Sequence, residues 1–400
     1  MGRKRYDGYR SYGYLADDPG YRAFALAAEI GRVPPYDAGL SPEQAARVDR
    51  LMAESVVVSL HDHPIVRPLR LDDFLAYRRQ GRDVTGFEGL SASGLDAVFD
   101  NLMDGTALIT SRAGWKWDDI VYDLGMRLAD IAHQDMLFVG RTAADAGTAR
   151  REGRIAWFPS LEAATPIENE LDRLDILYGF GVRMIGVAYS ESNQLGGGLR
   201  EACDGGLSQF GRAAVRRMNQ LGVIVDVSHA GDRTALDTIE ASSAPVVISH
   251  AGARALWPSR RMKPDDVIRA CAQAGGLIGI EAAPHTTITV RHPVHDLESV
   301  MEHLEYCAAL VGIDAVALGP DTMFGDHVGS HRVFAGPLSL GAGGIDGPEH
   351  AAVPYVAGME NPAEAVHNAA GWLVQHGYSD ADIAKVIGLN ALRVMEAVLT

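Results

Sequence analysis

The sequence lacks an excess of positive charge and any long apolar run, and each shortage excludes a class of protein. Its 400 residues hold 36 Lys and Arg against 52 Asp and Glu, which gives a formal net charge of -16. Phosphate-rich partners require clustered positive charge, so we expect binding neither to nucleic acid nor to an anionic membrane. No apolar stretch approaches the ~20 residues of a membrane helix. With 47% hydrophobic and 22% charged residues, the composition is that of an ordinary globular protein.

Cysteine is equally scarce. Cys203, Cys271 and Cys307 are the three in the chain, and none forms a CxxC pair. Such a sparse, odd set indicates a reducing compartment or buried thiols. The first 24 residues contain no apolar core of the length that a signal peptide needs. These features predict a cytoplasmic protein.

No GxGxxG motif follows a predicted strand, so nucleotide binding has no support. What the chain does contain is a regular alternation of short apolar runs and amphipathic segments. This alternation predicts an α/β protein, a (β/α)8 TIM barrel with an N-terminal arm and a C-terminal helical cap; the alternative is an open doubly wound sheet. The predicted strands cover residues 56–64, 106–110, 155–162, 184–189, 223–227, 246–248, 276–281 and 315–321.

We expect a single domain with three parts. Residues 1–40 form an irregular arm, 41–360 the barrel, and 361–400 the closing helices. Ser41-Pro42-Glu43-Gln44 has the features of a helix start, and that helix should run to about Glu54. A glycine-rich loop is predicted over about 325–360.

The stretch from Gly222 to His250 indicates where the chemistry lies. Its two β-branched runs end in Ser228-His229 and Ser249-His250, and an amphipathic segment separates them. In α/β barrels the functional groups lie at the carboxyl ends of the strands. The two histidines are therefore expected on one face of the barrel.

Other predicted strands also end in polar groups that suit a metal. His61 and His63 are two residues apart on a strand, so both side chains point to the same side and Asp62 points away. Imidazole nitrogen and carboxylate oxygen are ligands for Zn²⁺ and similar ions. Four histidines and Glu162 exceed the needs of one tetrahedral zinc, so we favour two divalent metal ions, zinc above others, that share a hydroxide.

Each residue also has an ordinary interpretation. A lone histidine at a strand end is more often a hydrogen-bonded structural residue. Glu162 could be a carboxylate at a helix N-terminus, and Asp321, after Gly-Pro, could form a turn. Asp226 is out of phase with His229 and could be an outer-shell or structural group. Only the joint occurrence of four histidines at strand ends of one barrel argues strongly for a metal site.

Over about residues 45–398 the chain resembles the renal (membrane) dipeptidase family, zinc-dependent (β/α)8 hydrolases related to the amidohydrolases. The matching segments, in order, are SLHDHP, PSLEA, GVIVDVSHAG, PVVISHAGARAL, LGPD and IGLNALRVMEAV. The resemblance implies a small-molecule substrate and, by analogy with related enzymes, a homodimer. It implies one metal at His61 and His63, and a second at His229 and His250, with Glu162 bridging.

The resemblance also implies roles around the metals. Asp321 matches the acid that moves a proton from the nucleophilic water to the leaving amine. Arg261 matches the arginine that binds the terminal carboxylate of the substrate, a task suited to the bidentate guanidinium. Arg260 is the neighbouring alternative, and either arginine could be a surface charge.

The chain departs from the family at two positions. His63 stands where the family usually has Asp. Tyr189 stands where it often has a histidine aimed at the substrate carbonyl; a phenol can donate to a developing oxyanion, or it can form a wall of the pocket.

The wider amidohydrolases bridge their metals with a carboxylated lysine, but none of the four lysines lies at a predicted strand end, so Glu162 is the expected bridge. His327, which follows the last strand, is a further candidate for substrate binding; Asp326, His331 and His285 share that face.

These observations lead to three hypotheses. The first is a binuclear hydrolase that cleaves an amide next to a free carboxylate, in a dipeptide or an N-acyl amino acid, with a metal-bridging hydroxide as nucleophile. The second keeps the metal centre but changes the substrate to a lactone, a cyclic amide or a specialised metabolite. The third is a non-catalytic scaffold, which the presence of all five metal ligands argues against.

Overall fold

The computed structural model describes residues 4–103, 108–284, 286–338, 348–351 and 353–399. Its strands are short and apolar, as expected where both faces of a parallel sheet are covered. They are β1 (Val58–Val66), β2 (Ala97–Met103), β3 (Leu137–Val139), β4 (Ile155–Leu161), β5 (Met184–Gly186), β6 (Ile224–Asp226), β7 (Val246–Ala251), β8 (Leu277–Ile280), β9 (Val316–Leu318) and β10 (Met323–Phe324).

The strands form the predicted (β/α)8 barrel. Their order is β10-β1-β2-β4-β5-β6-β7-β8-β9, and every pairing is parallel. Strands β9 and β10 belong to one stretch of chain, so they act as a single interrupted eighth strand. Its first part pairs with β8 and its second part with β1, which closes the ring. Strand β3 pairs only with β4, outside this ring.

Helices alternate with the strands. They are α1 (Pro42–Glu54), α2 (Phe74–Arg79), α3 (Phe87–Ala92), α4 (Trp117–Ile131), α5 (Ala144–Glu152), α6 (Asp172–Gly179), α7 (Gln209–Leu221), α8 (Asp232–Ala241), α9 (Asp265–Gln273), α10 (Leu297–Val311), α11 (His327–Leu338), α12 (Ala365–Gln375), α13 (Asp380–Ala384) and α14 (Asn390–Val398). Helix α1 begins with a capping box between Ser41 and Gln44 and has Pro42 in its first turn, as the sequence predicted. Among the described residues, no helix is long and apolar enough to cross a membrane.

The last helix closes the amino-terminal end of the barrel. Val394, Met395 and Val398 of α14 pack in one cluster with the residues that begin the strands, including Val58 and Ala97. Asn390 anchors the start of the helix, since its side-chain amide donates to the carbonyls of Ile313 and Val316 at 2.8 Å each. The opposite, carboxyl end of the barrel is thereby left for the polar groups.

Two predicted elements were wrong. The second strand is Ala97–Met103, not 106–110: residues 108–110 lie outside any strand, and 104–107 are outside the described residues. The predicted loop over 325–360 contains helix α11, although 339–347 and 352 are not described. The predicted helices over 361–376 and 380–398 are confirmed as α12 and as the α13–α14 pair.

Candidate metal centre

Three imidazoles surround one carboxylate oxygen of Glu162 at the carboxyl end of the barrel. Glu162, which directly follows β4, places Oε1 3.4 Å from Nε2 of His61. The same oxygen lies 3.5 Å from Nε2 of His229 and 3.5 Å from Nε2 of His250. All four residues are buried. The barrel thus gathers groups that are up to 189 positions apart in the sequence, between His61 and His250.

A second carboxylate enters the cluster from the interrupted eighth strand. Asp321 Oδ1 lies 3.1 Å from His63 Nε2 and 3.4 Å from His61 Nε2. Its backbone has a φ of 56°, unusual for a residue other than glycine, and its N–H donates to the His61 carbonyl at 2.9 Å. Asp321 therefore sits among the candidate metal ligands, close to the predicted first metal.

Three overlapping groups of possible ligands result, and in each one the donor atoms lie within 4.8 Å of one another. Among the described residues these are His61 with His63 and Glu162, His61 with His250 and Asp321, and Glu162 with His229 and His250. The five predicted metal ligands all belong to this cluster. Each of the three groups could hold a metal ion.

Burial favours the neutral form of three imidazoles of the cluster, those of His61, His229 and His250. It lowers the pKa of His61, and it lowers the pKa values of His229 and His250 well below the ordinary value. Burial alone would raise the pKa of Asp321, but the neighbouring imidazoles of His327, His61 and His63 hold it well below its usual range. Neutral imidazole and ionised carboxylate are the forms that bind metals.

The hydroxyl of Ser249 fixes the tautomer of His250. The Ser249 hydroxyl donates to Asp226 Oδ2 at 2.7 Å, so its oxygen accepts from Nδ1–H of His250 at 2.8 Å. The proton of the ring is therefore on Nδ1, and the lone pair of Nε2 faces the cluster. Asp226, which also accepts from Ser228, is an outer-shell group that orients a ligand.

His63 is oriented in the same way by β2. Its Nδ1–H donates to the carbonyl of Asn101 at 2.9 Å, which leaves the Nε2 lone pair 3.1 Å from the Asp321 carboxylate. A buried lone pair facing an anion is unfavourable unless a cation lies between them. The donor set therefore fits a divalent metal, and zinc in particular.

Asn101 was missed in the sequence because the second strand was misplaced. Its side-chain amide contacts Nδ1 of His61 and is buried. The amide nitrogen of Asn101 donates to Nδ1 of this ring, so Asn101 orients the imidazole of His61 in the cluster. The sequence signal was available, because Asp100-Asn101 directly follows the apolar run of 97–99.

Tyr189 covers one side of the second predicted metal position. Its ring stacks on His229 with a centroid distance of 4.0 Å and an interplanar angle of 21°. Trp115 lies against the other side of this phenol, 5.3 Å between centroids, and adopts a φ of 62°. The two aromatic rings form a wall beside the cluster, and the role of Trp115 was not foreseen from the sequence.

Arg261 reaches the cluster, whereas Arg260 does not. Arg261 is buried and donates to the carbonyl of His250 at 3.1 Å. Its guanidinium also forms an ion pair with the buried Glu281, which follows β8. Arg260 is exposed and donates to the backbone of Glu201 at 3.0 Å. Glu281 was missed although it ends a predicted strand, the same signal that identified Glu162.

His327 lies on the rim of the cluster at the first turn of α11. Its ring centroid is 6.3 Å from that of His63, and its Nε2 is 3.1 Å from Nε2 of His331. Burial lowers the pKa of His327 to about 3. Asp326 accepts from the N–H of Gly329 at 2.8 Å and so belongs to the helix start. His285 lies outside the described residues.

The chain is similar to known dipeptidases. The profile of the membrane dipeptidases, peptidase family M19, matches residues 46–331, more than half of the chain. Dipeptidase tcpJ of Claviceps purpurea (strain 20.1) is 29% identical over 280 residues, which cover 69% of this chain and 58% of that protein. Dipeptidase verJ of Clonostachys rogersoniana is 30% identical over 289 residues, which cover 72% of this chain and 65% of the relative. The match thus spans less than two thirds of either relative.

The fold is also that of a solved structure. An amidohydrolase from Pseudomonas aeruginosa superposes with a TM-score of 0.71 at 24% identity, over 88% of this chain and 99% of that one. At this identity the likeness concerns the fold alone. It covers the ring of strands that positions the cluster.

Proposed function

The chain belongs to the membrane dipeptidase family, and from that premise we propose that it is a metal-dependent hydrolase of amide bonds, acting on a dipeptide or an N-acyl amino acid. The observation that carries this proposal is the convergence of three imidazole Nε2 atoms within 3.5 Å of Glu162 Oε1. Neutral imidazoles around a buried carboxylate form a site for divalent cations.

The proposed cofactor is a pair of divalent ions, most simply Zn²⁺. His61 and His63 would hold one, His229 and His250 the other, and Glu162 would lie between them. When bound, such a pair lowers the pKa of a shared water, so that a bridging hydroxide is available as nucleophile at neutral pH.

The protein groups around the ions have distinct tasks in this proposal. Asp321 is ionised and within reach of both His61 and His63, so it can accept the proton of the attacking water and return it to the leaving nitrogen. Tyr189 would donate its phenol proton to the developing oxyanion or confine the substrate with its ring. Arg261 and His327 lie at the edge of the cluster and would contact the substrate.

Hydrolysis of a dipeptide panel by the zinc-loaded protein tests the proposal. We expect cleavage that chelation abolishes and that Zn²⁺ restores. Asp321→Asn keeps the shape of the side chain but cannot take up the proton, so kcat should fall at least ~100-fold, the lower range for general acid–base catalysis. An Asp321→Asn protein with wild-type kcat would rule out the proton relay.

A second candidate substrate class uses the same centre: a lactone, a cyclic amide or another specialised metabolite. The contact between Arg261 and Glu281 favours it, since the guanidinium is already paired with a protein carboxylate. Hydrolysis of such compounds without hydrolysis of dipeptides would decide for this class.

A further inference from the structure

The wall of the candidate metal centre contains a buried ion pair between Arg261 and Glu281. Arg261 is 3% exposed and Glu281 is 0% exposed. The guanidinium contacts Glu281 through one Nη atom and the His250 carbonyl through the other. The pair is therefore attached directly to the backbone of a candidate metal ligand.

Glu281 is held in place from its other side. The Thr286 hydroxyl donates to Oε1 at 2.6 Å, and the Thr287 hydroxyl lies 3.4 Å from the same oxygen. These contacts keep Oε1 occupied while Oε2 faces the arginine. The carboxylate thus cannot leave the guanidinium without breaking bonds to the loop after β8.

The consequence concerns a substrate carboxylate. A carboxylate placed against Arg261 would also meet Glu281, and the attraction to one would be offset by repulsion from the other. Among the described residues of the loop after β7, the other cations are also engaged. Arg254 pairs with Asp232, Arg260 donates to a backbone carbonyl, and Lys263 donates to the carbonyl of Ala230 at 2.6 Å.

An uncharged amide suits the pair better than an anion does. Its carbonyl oxygen can accept from the guanidinium of Arg261, and its N–H can donate to the carboxylate of Glu281. Both bonds would be charge-assisted, and neither requires the ion pair to separate.

Resting on the proposed amide hydrolysis and narrowing its substrate class, we propose that this site prefers amide substrates without a free carboxylate beside the scissile bond, such as dipeptide amides and cyclic amides, over free dipeptides and N-acyl amino acids. Arg261 and Glu281 together form the subsite, and the residue that sets the preference is Glu281. The hydrolysis proposed for the metal centre is the same for substrates with and without a free carboxylate.

Matched substrates test the inference on the wild-type holoenzyme. Alanyl-alaninamide and alanyl-alanine share one scissile bond and differ in the terminal carboxylate. We expect kcat/KM to be at least tenfold higher for the amide. A preference for the free acid would overturn the inference while the proposed function stands, whereas no metal-dependent cleavage of either compound would overturn the proposed function and the inference with it.

The Glu281→Gln variant then tests whether Glu281 causes the preference for amides over acids. Glutamine keeps the shape and can still accept from Arg261, but it leaves the guanidinium charge uncompensated. We expect the amide-to-acid ratio of kcat/KM to shift at least tenfold toward the acid. Asp232→Asn removes the same charge from the neighbouring pair with Arg254 and should keep the wild-type ratio.

Binding provides a readout that does not depend on turnover or on the variant. Two phosphinate dipeptide analogues, one ending in a carboxylate and one in a carboxamide, can be titrated calorimetrically into the zinc-loaded wild type. Tighter binding of the carboxamide by tenfold or more supports the inference. Equal or tighter binding of the carboxylate contradicts it.

Discussion

At the scale of single residues, the protonation of two imidazoles in the cluster, those of His250 and His63, is set by the atom that the other ring nitrogen touches. Ser249 holds the Nδ1 proton of His250, and the Asn101 carbonyl holds that of His63. Both rings therefore present an Nε2 lone pair inward, the state that a metal needs. Groups that never touch the ion thus decide whether it can bind.

Ser249→Ala tests this control of the tautomer. The change removes the acceptor for Nδ1–H and leaves a buried donor without a partner, so His250 should be less well ordered. We expect zinc affinity to fall about 10–100-fold, the usual range for loss of an outer-shell partner. Competition with a chromogenic chelator measures it. Ser243→Ala, an exposed serine between α8 and β7, should retain wild-type affinity, and an unchanged Ser249→Ala protein would refute the assignment.

His303 gives a prediction for pH dependence away from the cluster. The Ala253 N–H donates to its Nδ1 at 2.9 Å, and its Nε2–H donates to the Ile288 carbonyl at 3.0 Å. Burial lowers the pKa of His303 to about 4. Between pH 4 and about 6.5 the unfolded chain therefore binds more protons than the folded one, so this residue makes the protein less stable as the pH falls through that window.

His303→Gln should remove that contribution, because glutamine can supply one acceptor and one donor without titrating. Lowering the pH from 6.5 to 4 should reduce the free energy of unfolding of both proteins. The reduction should be about 3 kcal/mol smaller for the variant than for the wild type. Denaturant titrations at both pH values measure the difference. The exposed His133→Gln serves as control and should follow the wild type; parallel behaviour of His303→Gln would contradict the prediction.

At the scale of elements, the sequence predicted those that carry their own signals. The helix start at Ser41 and the strands that carry or lead into His61, Glu162, His229 and His250 were found because capping and apolar runs are local features. The second strand was missed because its polar end, Asp100-Asn101, breaks the apolar run, and its place is set by pairing with β1 and β4. The contact between Arg261 and Glu281 joins two loops, and no local pattern encodes it.

The close approach of β4 and β5 depends on one glycine. A Cβ added to Gly186 would lie 1.8 Å from the carbonyl oxygen of Glu162, so any side chain would push this ligand aside. Gly186→Ala should cost about 1–3 kcal/mol of stability through overpacking. It should also lower kcat/KM about 100-fold, since displacement of a catalytic group by ~1 Å has that effect.

The matched control is Gly125→Ala. Gly125 is exposed in α4, and an added Cβ would meet nothing within 4 Å. This variant should keep wild-type activity and stability. Thermal melts, zinc content and kinetics on the same substrate separate the two glycines, and full activity in Gly186→Ala would show that Glu162 does not need its observed position.

At the scale of the whole molecule, the cluster ties together strands that are far apart around the ring. Its candidate ligands come from β1, β7 and the residues after β4 and β6, while the apolar cluster around α14 closes the opposite end.

A metal that binds only the folded barrel stabilises it by about 2.7 kcal/mol at 100 times its dissociation constant. Chelation should therefore lower the melting temperature by roughly 3 °C for a chain of this size, and zinc should restore it. Glu162→Gln, which removes the shared carboxylate charge, should melt at nearly the same temperature with and without chelator. If the wild type also melted identically in both conditions and contained no zinc after loading, the cluster would be a structural polar network and the proposed hydrolase would fail.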